Sequence, residues 1–214
     1  MRENMHEKLL ELYTDKSTVQ KIQNKLPKLF YLAELESSRA GKVGMEVGSV
    51  REKILIALFI YKFGESNVDT EIPITEPEVD VKVFNNPISI KTITGSSSGV
   101  KLIWTVDAEK AIEFSRNYTP KNDMLLVQIN WNNGGNFCLI PTSVQSAVFN
   151  RIGREEYIRL PKKGTNPRGV EMTAKALRLL ISDKNTYKIS INWKKEIVEY
   201  FPYKRWVELW GEDI

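Results

Sequence analysis

The sequence predicts an α/β protein in which N-terminal helices precede a mixed central sheet flanked by further helices. Three observations predict it. Apolar residues recur at helical spacing through the first forty positions, several later segments alternate between turns bearing Asn, Gly or Pro, and helical segments are set between those strands. At 214 residues and 42% hydrophobic, with five Trp, eight Tyr and eight Phe, the chain can bury one good core and reads as a single unit over 1–214.

The elements follow in order. Leu9, Leu10, Leu12 and Tyr13, then Val19, Ile22, Leu26, Leu29, Phe30, Leu32 and Leu35, predict two helices within 1–40, the second capped by Asp15 or Ser17. A glycine-spaced loop covers 41–48. Ser49 with Glu52 three positions later forms a capping-box pattern, so a helix should open there, run through 53–63 and stop at Gly64. Its core face would be Ile54, Leu55, Leu58, Phe59 and Tyr61 or Ile60. Segments 68–74, 78–84 and 88–93 read as strands, the last two joined by an Asn85-Asn86-Pro87 turn. A short strand at 100–104 precedes a helix opened by Thr105-Val106-Asp107 and ending near Asn117, with Ala108, Ala111, Ile112 and Phe114 as its buried face. Strands 124–131 and 137–140 flank the turn Asn132-Asn133-Gly134-Gly135-Asn136. Thr142 or Ser143 can cap a helix to Arg151. Beyond it lie a loop at 164–169, a helix at 172–181, a strand at 187–193, and an aromatic tail expected to pack back on the body.

Composition removes many chemistries. Cys138, the one cysteine, lies in an apolar run and reads as a small buried hydrophobe, so the chain forms no internal disulfide. His6, the one histidine, falls at a polar helix start. Zinc fingers, histidine-based nucleases, and Ser-His-Asp or Cys-His hydrolases therefore lack their residues. No run approaches the roughly 18 apolar residues of a membrane span, and no apolar signal follows Met1, so the expected location is the cytoplasm without membrane attachment. The net charge is only +4, but residues 161–205 hold eleven Lys and Arg against four Asp and Glu. Such a surplus attracts a phosphate backbone, although solvated helix faces carry similar charge.

Asp80 lies in Glu78-Val79-Asp80-Val81, and Lys91 in Ile88-Ser89-Ile90-Lys91-Thr92, one strand later. Residues two apart on a strand share a face, so Ser89 and Lys91 point the same way and a hairpin can bring Asp80 beside them. Hydrolysis of a phosphodiester calls for hard carboxylate oxygens to hold a divalent cation and for a group that orients the attacking water. Taken singly, a strand lysine is usually a solvated edge residue and an Asp near a turn is usually a turn former.

As an ordered set, Glu52 on a helix, Asp80 on one strand and Lys91 at the end of the next resemble the core of PD-(D/E)XK nucleases, over about 44–131. Gly48-Ser49-Val50-Arg51-Glu52 is similar to the small-x-x-Arg-Glu start of that family's first core helix, and Ile88-Ser89-Ile90-Lys91-Thr92 to its apolar-Glu-apolar-Lys-Thr strand. The resemblance implies a restriction-endonuclease-like fold and catalytic positions at Glu52, Asp80, Ser89 and Lys91. It also implies Mg²⁺, for which Mn²⁺ can substitute, on Asp80, the Ile90 carbonyl and Glu52. Ser89 departs from the family, which places Asp or Glu there; Glu52 or Glu78 must replace the missing charge.

The short chain without helicase or methyltransferase segments further resembles type II restriction enzymes of the ThaI kind, which cut a self-complementary G/C-only site in double-stranded DNA. Such symmetry implies a homodimer. Candidate DNA contacts are Lys162, Lys163, Asn166 and Arg168 in a Gly-flanked basic loop, Ser97 and Lys101 after the Lys91 strand, and Met45 as an apolar wedge between base steps. A structure-selective junction or repair nuclease, and a non-catalytic DNA-binding protein that lost its chemistry through Ser89, share the same sequence features.

Overall fold

The structure is a computed structural model describing residues 2–39, 42–44, 46–73, 76, 78–95, 99–161 and 169–212. Helices α1 (Arg2–Thr14) and α2 (Lys16–Glu36) open the chain. Between them the Asp15 carboxylate accepts from the Ser17 N–H and the Thr18 hydroxyl, so Asp15, not Ser17, is the cap. Where spacing predicts a plain loop, β1 (Ser38–Arg39) and β2 (Lys42–Val43) form a short antiparallel ladder. Helix α3 (Val47–Phe63) opens two residues before Ser49, on a turn in which the Val47 N–H reaches the Gly44 carbonyl. Ser49 therefore lies inside the helix and caps nothing. Arg51, Leu55 and Phe59, four apart, form its buried stripe, while Tyr61 is exposed.

After α3 come β3 (Val68–Asp69), β4 (Val81–Val83), β5 (Asn86–Thr94), β6 (Val100–Ile103), α4 (Ala108–Asn117), β7 (Asp123–Ile129) and β8 (Asn133–Ile140). Then follow α5 (Thr142–Ile152), α6 (Arg154–Tyr157), β9 (Ile158–Arg159), β10 (Val170–Met172), α7 (Ala174–Ser182), β11 (Tyr187–Trp193) and α8 (Lys204–Trp210). The main sheet has the order β11-β8-β7-β5-β4-β3; β5 and β7 run parallel and the other neighbours antiparallel. A second sheet has the order β6-β10-β9. This is the mixed sheet with flanking helices that the sequence predicts. Helices α1 to α3 pack on Ile88, Ile90, Leu125, Val127 and Ile129. Met124, Leu126, Cys138 and Ile140 pack with side chains of α4, α5 and α7 instead. Strand β7 is thus covered on both sides, which is why its sequence is a continuous apolar run. Cys138 is fully buried, as read.

Several local expectations are corrected. The β4–β5 turn is Phe84-Asn85, both at positive φ (50° and 62°) as a type I′ hairpin requires, and Asn86 and Pro87 belong to β5. Pro87 is tolerated because β7 joins β5 only from Ile88 onward. The 68–74 segment keeps two residues as strand, and β4 is shorter than 78–84, leaving Asp80 just ahead of it. On α4, capped by Asp107, Ala111 is buried but Ala108 and Ile112 are exposed. The β7–β8 turn is Trp131-Asn132, and β8 already begins at Asn133. Thr142 does not cap α5, because its N–H and hydroxyl both go to the buried Asp123 carboxylate, and Pro141 holds the cap position. Met172 belongs to β10, and Thr173 caps α7. The aromatic tail does not pack back: every described residue from Phe201 to Glu212 is exposed.

Candidate active site

The site is built on the β4–β5 hairpin. Its register pairs Val81 with Ile88, Lys82 with Pro87 and Val83 with Asn86, so one step further sets Asp80 opposite Ser89. Ile88 and Ile90 enter the core under α1 to α3, which by strand alternation turns Ser89 and Lys91 to the other face. There one oxygen of Asp80, Oδ2, gathers three donors. The Ile90 N–H lies at 2.5 Å, Lys91 Nζ at 3.3 Å and Ser89 Oγ at 3.4 Å. The ion pair is mostly sheltered, with Lys91 and Asp80 side chains 16% and 18% exposed. Main-chain and side-chain bonds together fix the Asp80 rotamer, which leaves its other oxygen, Oδ1, for a further partner.

Glu52 comes to this place from the second turn of α3. Burial pushes its carboxyl above the usual glutamate range and the Asp80 charge pushes it further, while Lys91 and Lys53 pull it back. Two carboxylates beside one amine are hard oxygen donors of the kind that can hold a divalent cation. Glu78 differs. Burial also raises its carboxyl, but the charges that act on it are Lys121 and Lys91 rather than Asp80. It lines a small cavity with Ser89, Tyr118 and Lys121 on the other side of Lys91. Of the two acids that sequence leaves open as substitutes at position 89, Glu52 is the one coupled to Asp80. Among the described residues no three His, Cys, Asp or Glu side chains gather as a metal cluster, so two carboxylates are what those residues offer here.

Glu52 and Lys91 also line an open groove with Gly48, Thr92, Lys101 and Glu171. Lys101 stands at its far wall, 3.9 Å from the Glu171 carboxylate and 4.5 Å from the centre of the exposed Trp104 ring. Met45, Ser97, Lys162, Lys163, Asn166 and Arg168 lie outside the described residues. Of the basic stretch after 161, Lys175 pairs with Glu156, Lys188 bonds the Ile181 carbonyl and Lys195 reaches Glu34, so part of that charge is spent inside the chain.

Sequence reasoning misses one constellation entirely. Glu34 of α2 is buried and accepts from Arg51 Nη2 at 2.6 Å and from Trp131 Nε1 at 2.7 Å, with Lys195 Nζ at 3.2 Å from its other oxygen. Arg51 Nη1 reaches Thr94 Oγ1 at 3.1 Å. The residue beside Glu52 is thereby tied to α2, to the end of β5 and, through Glu34, to the β7–β8 turn. The signal was the Arg-Glu pair itself, an arginine on the core stripe of a helix that otherwise buries Leu and Phe.

An aspartate and a lysine on a β-hairpin, faced by a helix glutamate over a mixed sheet, define a restriction-endonuclease-like nuclease. The profile of the family described as "Restriction endonuclease ThaI" matches residues 12–212. A solved structure described as "Restriction endonuclease in complex with substrate DNA" is 57% identical, with a TM-score of 0.89 over 96% of this chain and 99% of that one. No curated protein matches the chain. The chain belongs to the ThaI restriction endonuclease family, and its activity is that of a type II site-specific endonuclease.

Proposed function

We propose that the chain hydrolyses phosphodiester bonds of both strands of double-stranded DNA at a short palindromic, G/C-only site, as a homodimer in the cytoplasm. Asp80, Glu52 and the Ile90 carbonyl would hold Mg²⁺, with Mn²⁺ able to replace it. The observation that carries this is the meeting of Lys91, Asp80 and Glu52 from three separate elements at one half-buried place on the groove. When bound, the cation supplies charge to offset the phosphorane and to acidify water. The residues do the rest. Asp80, fixed by the Ile90 N–H, would set the position of that charge, and Glu52 would supply the second negative charge that Ser89 cannot. Lys91, anchored on Asp80 Oδ2, directs its remaining N–H donors into the groove, where they can orient the attacking water and the scissile phosphate. Lys101 across the groove would meet a neighbouring phosphate, and residues 162–168, with Met45 and Ser97, would supply further backbone and base contacts. Among the described residues no helix is long and apolar enough to cross a membrane.

Incubation of the purified chain with plasmid DNA, with Mg²⁺ or with EDTA, tests the reading. Discrete bands are expected with Mg²⁺ and none with EDTA. Asp80→Ala and Lys91→Ala should each lose cleavage and keep most DNA affinity, with a smaller loss for Glu52→Gln. Full cleavage by either of the first two, or structure-selective nicks in place of discrete bands, would overturn it.

A further inference from the structure

The second sheet, β6-β10-β9, buries one of its faces. Val100 and Leu102 of β6, Val170 and Met172 of β10 and Ile158 of β9 all enter the core that α4, α5 and α7 share. Strand alternation turns the residues between them to the other face, where the register of β10 with β9 sets Arg159 opposite Glu171. On the other side of β10, an unbroken ladder from the Ile103–Val170 pair would set Leu102 opposite Glu171. A shift of register between Val170 and Glu171 sets Lys101 there instead. Lys101, Glu171 and Arg159 therefore stand in one row across three strands.

The row adjoins the site of Glu52 and Lys91, because Lys101 and Glu171 line the same groove. Glu171 divides its carboxylate between the two cations. Its Oε2 accepts from Arg159 Nη2, and its Oε1 lies 3.9 Å from Lys101 Nζ. The Arg159 side chain is 59% exposed and that of Glu171 26%, so the arginine stands outermost. An acid alone in a groove that receives DNA would repel it, whereas here two cations outnumber one anion. A guanidinium has five N–H donors, so Arg159 can keep one amine on Glu171 and turn others to a phosphate. Size fits as well. Adjacent strands lie about 4.8 Å apart, which puts β6 and β9 about 10 Å from each other. One strand of a duplex carries a phosphate about every 3.4 Å of its axis, so the row spans about three phosphates.

We infer that Arg159 is a DNA-backbone contact, and that Lys101 and Arg159 form a phosphate track beside the active site with Glu171 as the residue that positions both. The inference rests on the DNA-cleaving reading above, in which Lys101 meets a phosphate, and adds to it a second cation and the acid that sets the spacing of the two. An ordinary surface ion pair needs neither a shifted register nor a place on the groove of Lys91.

The test is binding of the full-length chain to a short fluorescein-labelled duplex of mixed sequence, in EDTA, over a series of salt concentrations. It reads no cleavage. Exposed ion pairs add little to stability, so the variants fold. Arg159→Gln should weaken binding roughly tenfold at low salt and make the slope of log affinity against log salt shallower by about one. Lys101→Gln/Arg159→Gln should lose about twice that slope, and Arg159→Lys, which keeps the charge, should hold the wild-type slope. Glu171→Gln should bind DNA more tightly than wild type, since it removes an anion from the groove. A wild-type slope in Arg159→Gln would overturn the inference, because a role confined to the ion pair leaves the slope untouched. So would a double variant that loses no more slope than the single, a slope lost in Arg159→Lys, or weaker binding by Glu171→Gln. A wild-type chain that binds the duplex without salt dependence, or not at all, would instead end the DNA reading on which the track depends.

Discussion

The bracket under α3 makes a quantitative prediction. Arg51 and Glu34 side chains are 5% and 7% exposed and 2.6 Å apart, so neither can recover hydration if its partner is removed. Burial lowers the proton affinity of the Arg51 guanidinium and the Glu34 charge restores part of it, the signature of a pair whose members need each other. Breaking a buried pair costs about 3–5 kcal/mol. The two halves should not cost the same. Arg51→Leu leaves Glu34 with the Trp131 N–H and with Lys195, whose side chain is 40% exposed, which places it near the low end, about 3 kcal/mol. Glu34→Leu leaves Arg51 buried with Thr94 as its remaining hydrogen-bond partner and strands Lys195 and Trp131 as well, which places it near the high end, about 5 kcal/mol. At about 2–4 °C per kcal/mol for a chain of this size, the melting temperature should fall about 6–12 °C for the first and about 10–20 °C for the second. The double variant Arg51→Leu/Glu34→Leu should melt above the Glu34→Leu single, because an apolar pair of similar volume needs no compensation. Thermal unfolding followed by circular dichroism reads all four proteins. Strictly additive losses, or a milder Glu34→Leu than Arg51→Leu, would refute the reasoning.

Three further outcomes are expected. Ser89→Asp places beside Asp80 the acid of the PD-(D/E)XK pattern, so it should lower the melting temperature in EDTA and reach half-maximal cleavage at less Mg²⁺ than wild type; a variant indistinguishable from wild type in both would show that position 89 does not face the proposed cation set. Burial pushes the Cys138 thiol up to about 12, so alkylation at neutral pH should proceed only through unfolding, and prompt labelling of the native protein would contradict the buried placement; with the folded value above the unfolded one, its contribution to stability is lost as pH rises from the ordinary thiol range toward 12. Gly135→Ala would set a Cβ 2.2 Å from the Gln128 carbonyl and 2.5 Å from Trp193 Nε1, within paired strands that cannot both give way; a loss of about 1–3 kcal/mol is expected by denaturant unfolding, and an unchanged midpoint would mean that β8 and β11 are looser than drawn.

What was legible in the sequence was whatever depends on neighbours in the chain. Period-2 alternation marked β5, helical spacing marked α1 and α2, and the hairpin that joins Asp80 to Lys91 follows from two strands with a short turn between them. The start of α3 was not legible, because Ser49 and Glu52 have the spacing of a capping box while the helix is opened by a turn at Gly44. Nor was the turn at Phe84, a bulky residue at positive φ that no turn preference favours. The burial of Arg51 depends on Glu34, Thr94 and Trp131, which are 17, 43 and 97 positions away along the chain from Arg51 or from Glu34, and no local period encodes such a meeting. The aromatic tail misled for the opposite reason. Its composition is that of a core segment, yet every described residue from Phe201 to Glu212 is exposed, and composition does not say whether a segment is buried.

On the function proposed above, position 89 shows how PD-(D/E)XK chemistry would persist without its usual second strand acid. A second strand acid would stand directly beside Asp80, with two charges on adjacent strands of one hairpin. Here the hydroxyl of Ser89 is instead a donor to Asp80 Oδ2, so it helps to hold the aspartate, and the second charge comes from a helix across the groove. That shift transfers the demand for precision from the hairpin, which is fixed by its own register, to the placement of α3 over β5. Hydrogen bonds along α3 keep Glu52 in step with Arg51, and Arg51 is held by Glu34 of α2 and Thr94 of β5. A site that draws one carboxylate from the sheet and one from a helix needs such a bracket, whereas a site with both carboxylates on the hairpin would not.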